Sequence, residues 1–167
     1  SDALRRLDTD FVRTDHVTVT GDRRALVVAP YPWRNRACPP RDGVLPVSEA
    51  SMVDYPYAWA GMFHRRVIDA GIADFAPGLF TAEDRPWIWR LHLQARTFAV
   101  VDAPAMLYRR GVTGSLTQIV DRRQLDFGRA FSLAYDLVAE DPDAARFLPK
   151  LVTTMTAVSA HHLRRSR

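Results

Sequence analysis

A mixed α/β or α+β class is what the sequence predicts, and three observations carry it. Val17-Thr18-Val19-Thr20 alternates with period two and is followed by a turn and a second apolar run, which reads as a pair of strands. Ile88, Leu91 and Ala95 recur at i, i+3 and i+7, the spacing of a helix with one apolar face. From Asp121 onward the pattern is helical, with a break at Asp141-Pro142 and a second helix running to the basic end.

The elements follow in order. Ser1 to Leu7 reads as the tail of a helix, because Leu4 and Leu7 stand at i,i+3. Gly21-Asp22 turns the chain after Thr20, and Ala25-Leu26-Val27-Val28 supplies the return strand. Between Pro30 and Ser51, Pro30, Pro32, Pro39, Pro40 and Pro46 forbid a continuous helix or central strand. A structureless stretch of that length is usually functional or disordered. Tyr57-Ala58-Trp59-Ala60-Gly61-Met62-Phe63 reads as a short buried strand, and His64 to Ala70 as a helix ended by Gly71. The loop Phe75-Ala76-Pro77-Gly78 leads to Thr81, placed to cap the helix that carries Ile88 and Leu91. Phe98 to Val101 and Ala105 to Tyr108 read as two further strands, and Gly111 to Thr117 as a polar loop.

Composition bounds the function. The 167 residues are 47% hydrophobic and 25% charged, which suits one compact domain or half of a larger one and excludes disorder. No apolar run approaches the ~20 residues of a membrane-spanning helix. Cys38 is the single cysteine, so neither an intrachain disulfide nor a multi-cysteine zinc site can form. With no apolar secretory segment, the expected setting is cytoplasmic and reduced; a start at Ser1 without Met also fits a cut fragment. The net charge is +4 and the pI about 9.7. Lys150 is the only lysine, so nearly all positive charge is guanidinium, whose flat fork of donors suits phosphate or carboxylate. Nucleotide phosphates, nucleic acid and an anionic membrane surface all remain admissible partners.

Three constellations could carry chemistry. In Thr81-Ala82-Glu83-Asp84-Arg85-Pro86-Trp87, two adjacent carboxylates open a helix. Amide donors there favour ionised Asp84, which would suit it to take a proton from a hydroxyl. A structural role competes, since Thr81 and Asp84 also spell a capping box with Asp in place of Glu. Tyr108-Arg109-Arg110-Gly111-Val112-Thr113-Gly114-Ser115-Leu116-Thr117 combines paired guanidinium groups, two glycines and hydroxyls, the makings of an anion clamp or of a solvated basic turn. Asp54-Tyr55-Pro56-Tyr57-Ala58-Trp59-Ala60-Gly61 sets aromatic faces beside a carboxylate, which suits a sugar as well as core packing. Asp8-Thr9-Asp10 has the D-x-D form but follows the charged helical segment Leu4-Arg5-Arg6-Leu7, and not an apolar strand, so a metal role is not expected of it. His161 and His162 are neighbours pointing to different sides of a helix, and His16, His64 and His92 share no ligand spacing.

The order of these parts resembles the second half of a family 2 glycosyltransferase of the GT-A fold, inverting and nucleotide-sugar-dependent. A segment Ala58-Trp59-Ala60-Gly61-Met62-Phe63-His64-Arg65-Arg66 precedes Ala82-Glu83-Asp84-Arg85-Pro86-Trp87 at a helix start, two strands follow, and then Tyr108-Arg109-Arg110 with Ser115-Leu116-Thr117. The resemblance covers residues 1–118; residues 119–167 look like the helical extension of actinobacterial members. It implies that Asp84, with Glu83 beside it, is catalytic, Asp84 acting as general base on the acceptor hydroxyl. It further implies that Arg109, Arg110 and Ser115 hold the donor diphosphate, and that Asp54, Tyr57 and Trp59 line the acceptor side. Mg²⁺ or Mn²⁺ is implied for the intact enzyme, with none expected on this chain alone. Nothing matches the family's nucleotide-binding βαβ half or its acidic metal motif, so the chain is expected to be a fragment, inactive by itself. Two rivals stand beside this reading. One is a basic nucleic-acid-binding module, disfavoured because the arginines are spread out and no helix-turn-helix, zinc or RNA-stacking signature is present. The other is a non-catalytic remnant forming a homo-oligomer through Leu125, Phe127, Phe131, Leu133, Phe147, Leu148 and Leu151 of its terminal helices.

Overall fold

The structure is a computed structural model that describes residues 2–103, 106–111 and 126–165. It is mixed α/β, as expected. In chain order the elements are α1 (Asp2–Leu7), β1 (Phe11–Arg13), β2 (His16–Thr20), β3 (Arg23–Val27), β4 (Gly61–Phe63), α2 (Arg65–Asp69), α3 (Asp84–Gln94), β5 (Phe98–Val100), β6 (Met106–Arg109), α4 (Asp126–Ala139) and α5 (Ala144–Arg165). Two three-stranded sheets have the orders β4-β1-β5 and β3-β2-β6. In each, the middle strand pairs antiparallel with one neighbour and parallel with the other. Gly21, with φ of 55°, makes the tight β2–β3 turn that a side chain would strain.

The core forms where α3 meets the first sheet and the terminal helices. Trp87, Ile88, Trp89 and Leu91 are buried against Phe11 and Phe98 of the strands and against Phe131, Ala134, Val138, Phe147 and Leu151 of α4 and α5. Phe131, Phe147 and Leu151 therefore belong to the chain's own core and are not presented to a second copy, while Leu125 lies outside the described residues. Arg41 fastens the α4–α5 corner by pairing with Asp141 and Asp143.

Three local expectations change. The strand expected over residues 57–63 shrinks to Gly61–Phe63, an only half-buried edge, because the backbone carbonyls of Tyr55 and Tyr57 turn inward to a buried arginine instead of to a neighbouring strand. The helix expected to be capped by Thr81 has its N-cap position at Glu83, two residues later, after Ala82 takes a left-handed φ of 57°. The proline-rich segment is packed in place: Tyr31, Cys38 and Val44 are buried, Pro40–Val44 forms a 3-10 turn, and Cys38 exchanges two backbone hydrogen bonds with Phe98.

Candidate functional site

Asp84 is the first residue of α3, and its side chain keeps 35% of its surface. Water reaches it, yet enough protein surrounds it that burial raises its pKa to about 6. Arg85, whose Nε lies 3.8 Å from Oδ1, pulls the value down, Glu83 pushes it up as a like charge, and Asp84's own N–H lowers it. The expectation that helix amides dominate is thus corrected: desolvation outweighs them. The result is a carboxylate still mostly ionised at neutral pH but basic enough to accept a proton. Glu83 supplies the N-cap position without a side-chain capping bond.

One turn along α3, Trp87 stacks on Phe75 with centroids 5.6 Å apart and donates its Nε1–H to the Ala73 carbonyl. Its ring also lies 5.6 Å from the guanidinium of Arg13. Arg13 is wholly buried at the end of β1 and donates through Nη2 to the carbonyls of Tyr55 and Tyr57, at 2.9 and 2.8 Å. Its Nε and Nη1 have no hydrogen-bond partner among the described residues. Burial lowers its pKa to about 10, which leaves it charged at neutral pH. Arg13 therefore joins the opening turns of α3 to the aromatic loop. Gly61 permits this, since a Cβ there would sit 2.4 Å from the Val12 carbonyl and 3.3 Å from Arg13 Nη1.

The loop itself closes around His16. Tyr55 donates its hydroxyl to the Thr14 carbonyl, so the 2.5 Å contact between its oxygen and His16 Nδ1 is made by an Nδ1–H donor. Nε2 is then the unprotonated nitrogen, buried among aromatic rings and without a partner among the described residues. Burial lowers the pKa of His16, with Asp15 opposing and Arg13 reinforcing the shift, so the ring is neutral near pH 7. The rings of Tyr57 and Trp59 each lie 4.7 Å from His16, and Trp59 stacks on Tyr108 at 4.7 Å and 22°. Tyr57 and Trp59 are half-buried.

That stack brings the second constellation to the third. Tyr108 turns toward Trp59, so strand alternation sends the neighbouring Arg109 to the opposite face of the sheet. Arg110 is held just past β6 by its N–H on the Val19 carbonyl, 2.8 Å away. The pairing of Arg109 with Arg110 as one clamp is corrected accordingly. Ser115 lies outside the described residues.

Asp54 plays a different part from the acceptor contact expected of it. Its Oδ2 accepts from Lys150 Nζ at 2.5 Å and from the Ser51 N–H, and its Oδ1 accepts from the Thr154 hydroxyl at 2.8 Å. Burial would raise its pKa, but these donors outweigh it and hold the carboxyl below the usual range. The carboxylate is a brace between the aromatic loop and α5.

The D-x-D segment does not fit a metal. Asp10 is buried and accepts from Arg66 Nε, from the Arg96 N–H at 2.6 Å and from the Thr97 N–H at 3.3 Å, while Asp8 pairs with Arg66. Among the described residues no cluster of three or more His, Cys, Asp or Glu could hold a metal ion. His64 caps α2 by accepting from the Arg66 N–H, and buried His92 contacts the Pro40 carbonyl, its pKa lowered to about 4 by burial.

Sequence reasoning missed Arg13, His16 and Tyr108 as members of this assembly. Arg13 carried a signal, a charge next to Phe11-Val12 in an otherwise apolar strand; His16 and Tyr108 become legible only when β2 and β6 pair. No protein-family model matches the chain, and no curated protein matches it.

Proposed function

We propose that the chain is the acceptor-side half of an inverting glycosyltransferase of GT-A type, which moves a sugar from a nucleotide-sugar to an acceptor hydroxyl, the donor-binding part lying outside these residues. The observation that carries the reading is Asp84: a partly open carboxylate at a helix start, raised to about 6 by its surroundings and paired only loosely with Arg85. In this reading Asp84 accepts the hydroxyl proton as the acceptor oxygen attacks the anomeric carbon. The new C–O bond forms as the bond to the diphosphate oxygen breaks, and a single in-line attack inverts the centre. Half-buried Tyr57 and Trp59 are aromatic residues of the type that suits the apolar face of a sugar ring. Arg110, just past β6 and two residues after Tyr108, offsets charge on the departing diphosphate. No step here is routed through a metal: the resemblance puts the acidic metal motif in the donor-binding half, outside these residues, and Asp10 is committed to Arg66 and backbone amides.

The experiment is sugar transfer by the intact polypeptide across a panel of nucleotide-sugars, comparing the parent with Asp84→Asn. The reading expects a rate loss of about a hundredfold or more. Turnover within a few-fold of the parent would remove Asp84 from the role.

A further inference from the structure

The outward face of the β3-β2-β6 sheet has no role in the reading above. Its registers set Leu26 and Leu107 on either side of Val17, and Arg24 and Arg109 on either side of Val19. Side chains alternate between faces, so these six share one face and His16 and Tyr108 belong to the other. Leu26 is 61% exposed and Leu107 63%, and Arg24 and Arg109 are exposed as well. The face therefore presents an apolar row directly beside a basic row, the two guanidinium stems rising from strands about 9–10 Å apart. Exposed apolar rows of this kind mark an interaction surface.

We propose that this face docks on a bilayer surface bearing anionic lipid headgroups, with Leu26 and Leu107 entering the acyl boundary and Arg24 and Arg109 reaching lipid phosphates. Charge complementarity selects this occupant. Arg24 and Arg109 have no ion-pair partner among the described residues, while Arg23, opposite Thr20 at the start of β3, alternates to the other face. A single-stranded nucleic acid would leave the leucine row without a purpose, for no aromatic ring stands on the face to stack a base. A second copy adding through β3 meets Arg23 and Arg24 on that edge, a common barrier to strand addition. No helix among the described residues is long and apolar enough to cross a membrane.

The test is co-sedimentation of the full chain with vesicles of phosphatidylcholine alone or doped with phosphatidylglycerol, at low and raised salt. The expected result is binding to the doped vesicles only, weakened by salt. Arg24→Gln with Arg109→Gln should lower partitioning about twenty-five-fold, about fivefold per arginine. Leu26→Gln with Leu107→Gln should weaken it at low salt too. Circular dichroism establishes that the variants are folded; if either is not, the lipid and salt dependence of the parent chain decides. Equal partitioning onto both vesicle types, or an arginine variant that binds like the parent, overturns the proposal. So does arginine-dependent binding to random single-stranded DNA without vesicle binding. A dimer in light scattering that the leucine variant dissolves, again without vesicle binding, assigns the face to a second copy and overturns it equally. None of these outcomes depends on Asp84, so failure here leaves the transferase reading standing.

Discussion

Asp54 ends the single 3-10 turn Met52–Asp54 and Asp84 opens α3, and their side chains keep similar fractions of their surface, 25% and 35%. The fold treats them in opposite ways. Asp54 has Lys150, Ser51 and Thr154 around its oxygens and is held below the ordinary carboxylate range. Asp84 has Arg85 at 3.8 Å and a like charge beside it, and is raised to about 6. Burial penalises both; what differs is whether donors offset it. A carboxylate whose donors are supplied by the protein holds structure together. One left short of donors is disposed to take a proton from something else.

The largest expected effect breaks the brace. Asp54→Ala would leave the Lys150 ammonium buried without its counter-charge, and unfolding measurements in urea should show a loss of about 3–5 kcal/mol. Adding Lys150→Met should restore much of it, because the orphaned charge is gone. Because the folded pKa of Asp54 lies below its unfolded value, its contribution is present above the ordinary carboxylate range and lost as pH falls through the folded value. Parent and Asp54→Asn stabilities should therefore converge in acid.

Next in size is Gly61→Ala. The added Cβ meets the Val12 carbonyl at 2.4 Å, so β4 must shift off β1, at a cost of about 2 kcal/mol in thermal unfolding. The same shift disturbs Arg13, so changed aromatic-loop fluorescence should accompany it. The third substitution is Trp59→Ala. Losing the stack on Tyr108 should cost about 1 kcal/mol beyond the buried area, while weakening sugar acceptors more than donors in competition assays.

These contrasts show which parts were legible. The β2–β3 pair was readable because Gly21 marks the turn and alternation sets the strands. The apolar face of α3 and the break at Asp141-Pro142 were readable for similar local reasons. Asp84 was visible as a helix-opening acid, but its electrostatic state was not, because desolvation is set by loops distant in sequence. The role of Asp54 was hidden for the same reason: its partner lies ninety-six positions on, in α5, although a single lysine in an arginine-rich chain was a signal left unused. Arg13 turned a supposed strand into a loop by capturing two carbonyls, an event that periodicity cannot register.

The smallest stability effect is also the most direct test. Asp84→Asn removes a carboxylate whose folded pKa, about 6, lies above its unfolded value, so its ionisation costs stability at neutral pH and none in strong acid. After discounting for its exposure, the variant should gain about 1 kcal/mol near neutrality, a gain that disappears as the pH falls below about 4, while sugar transfer collapses. A variant that loses stability at neutral pH and keeps its turnover would make Asp84 a helix cap, and would contradict the account.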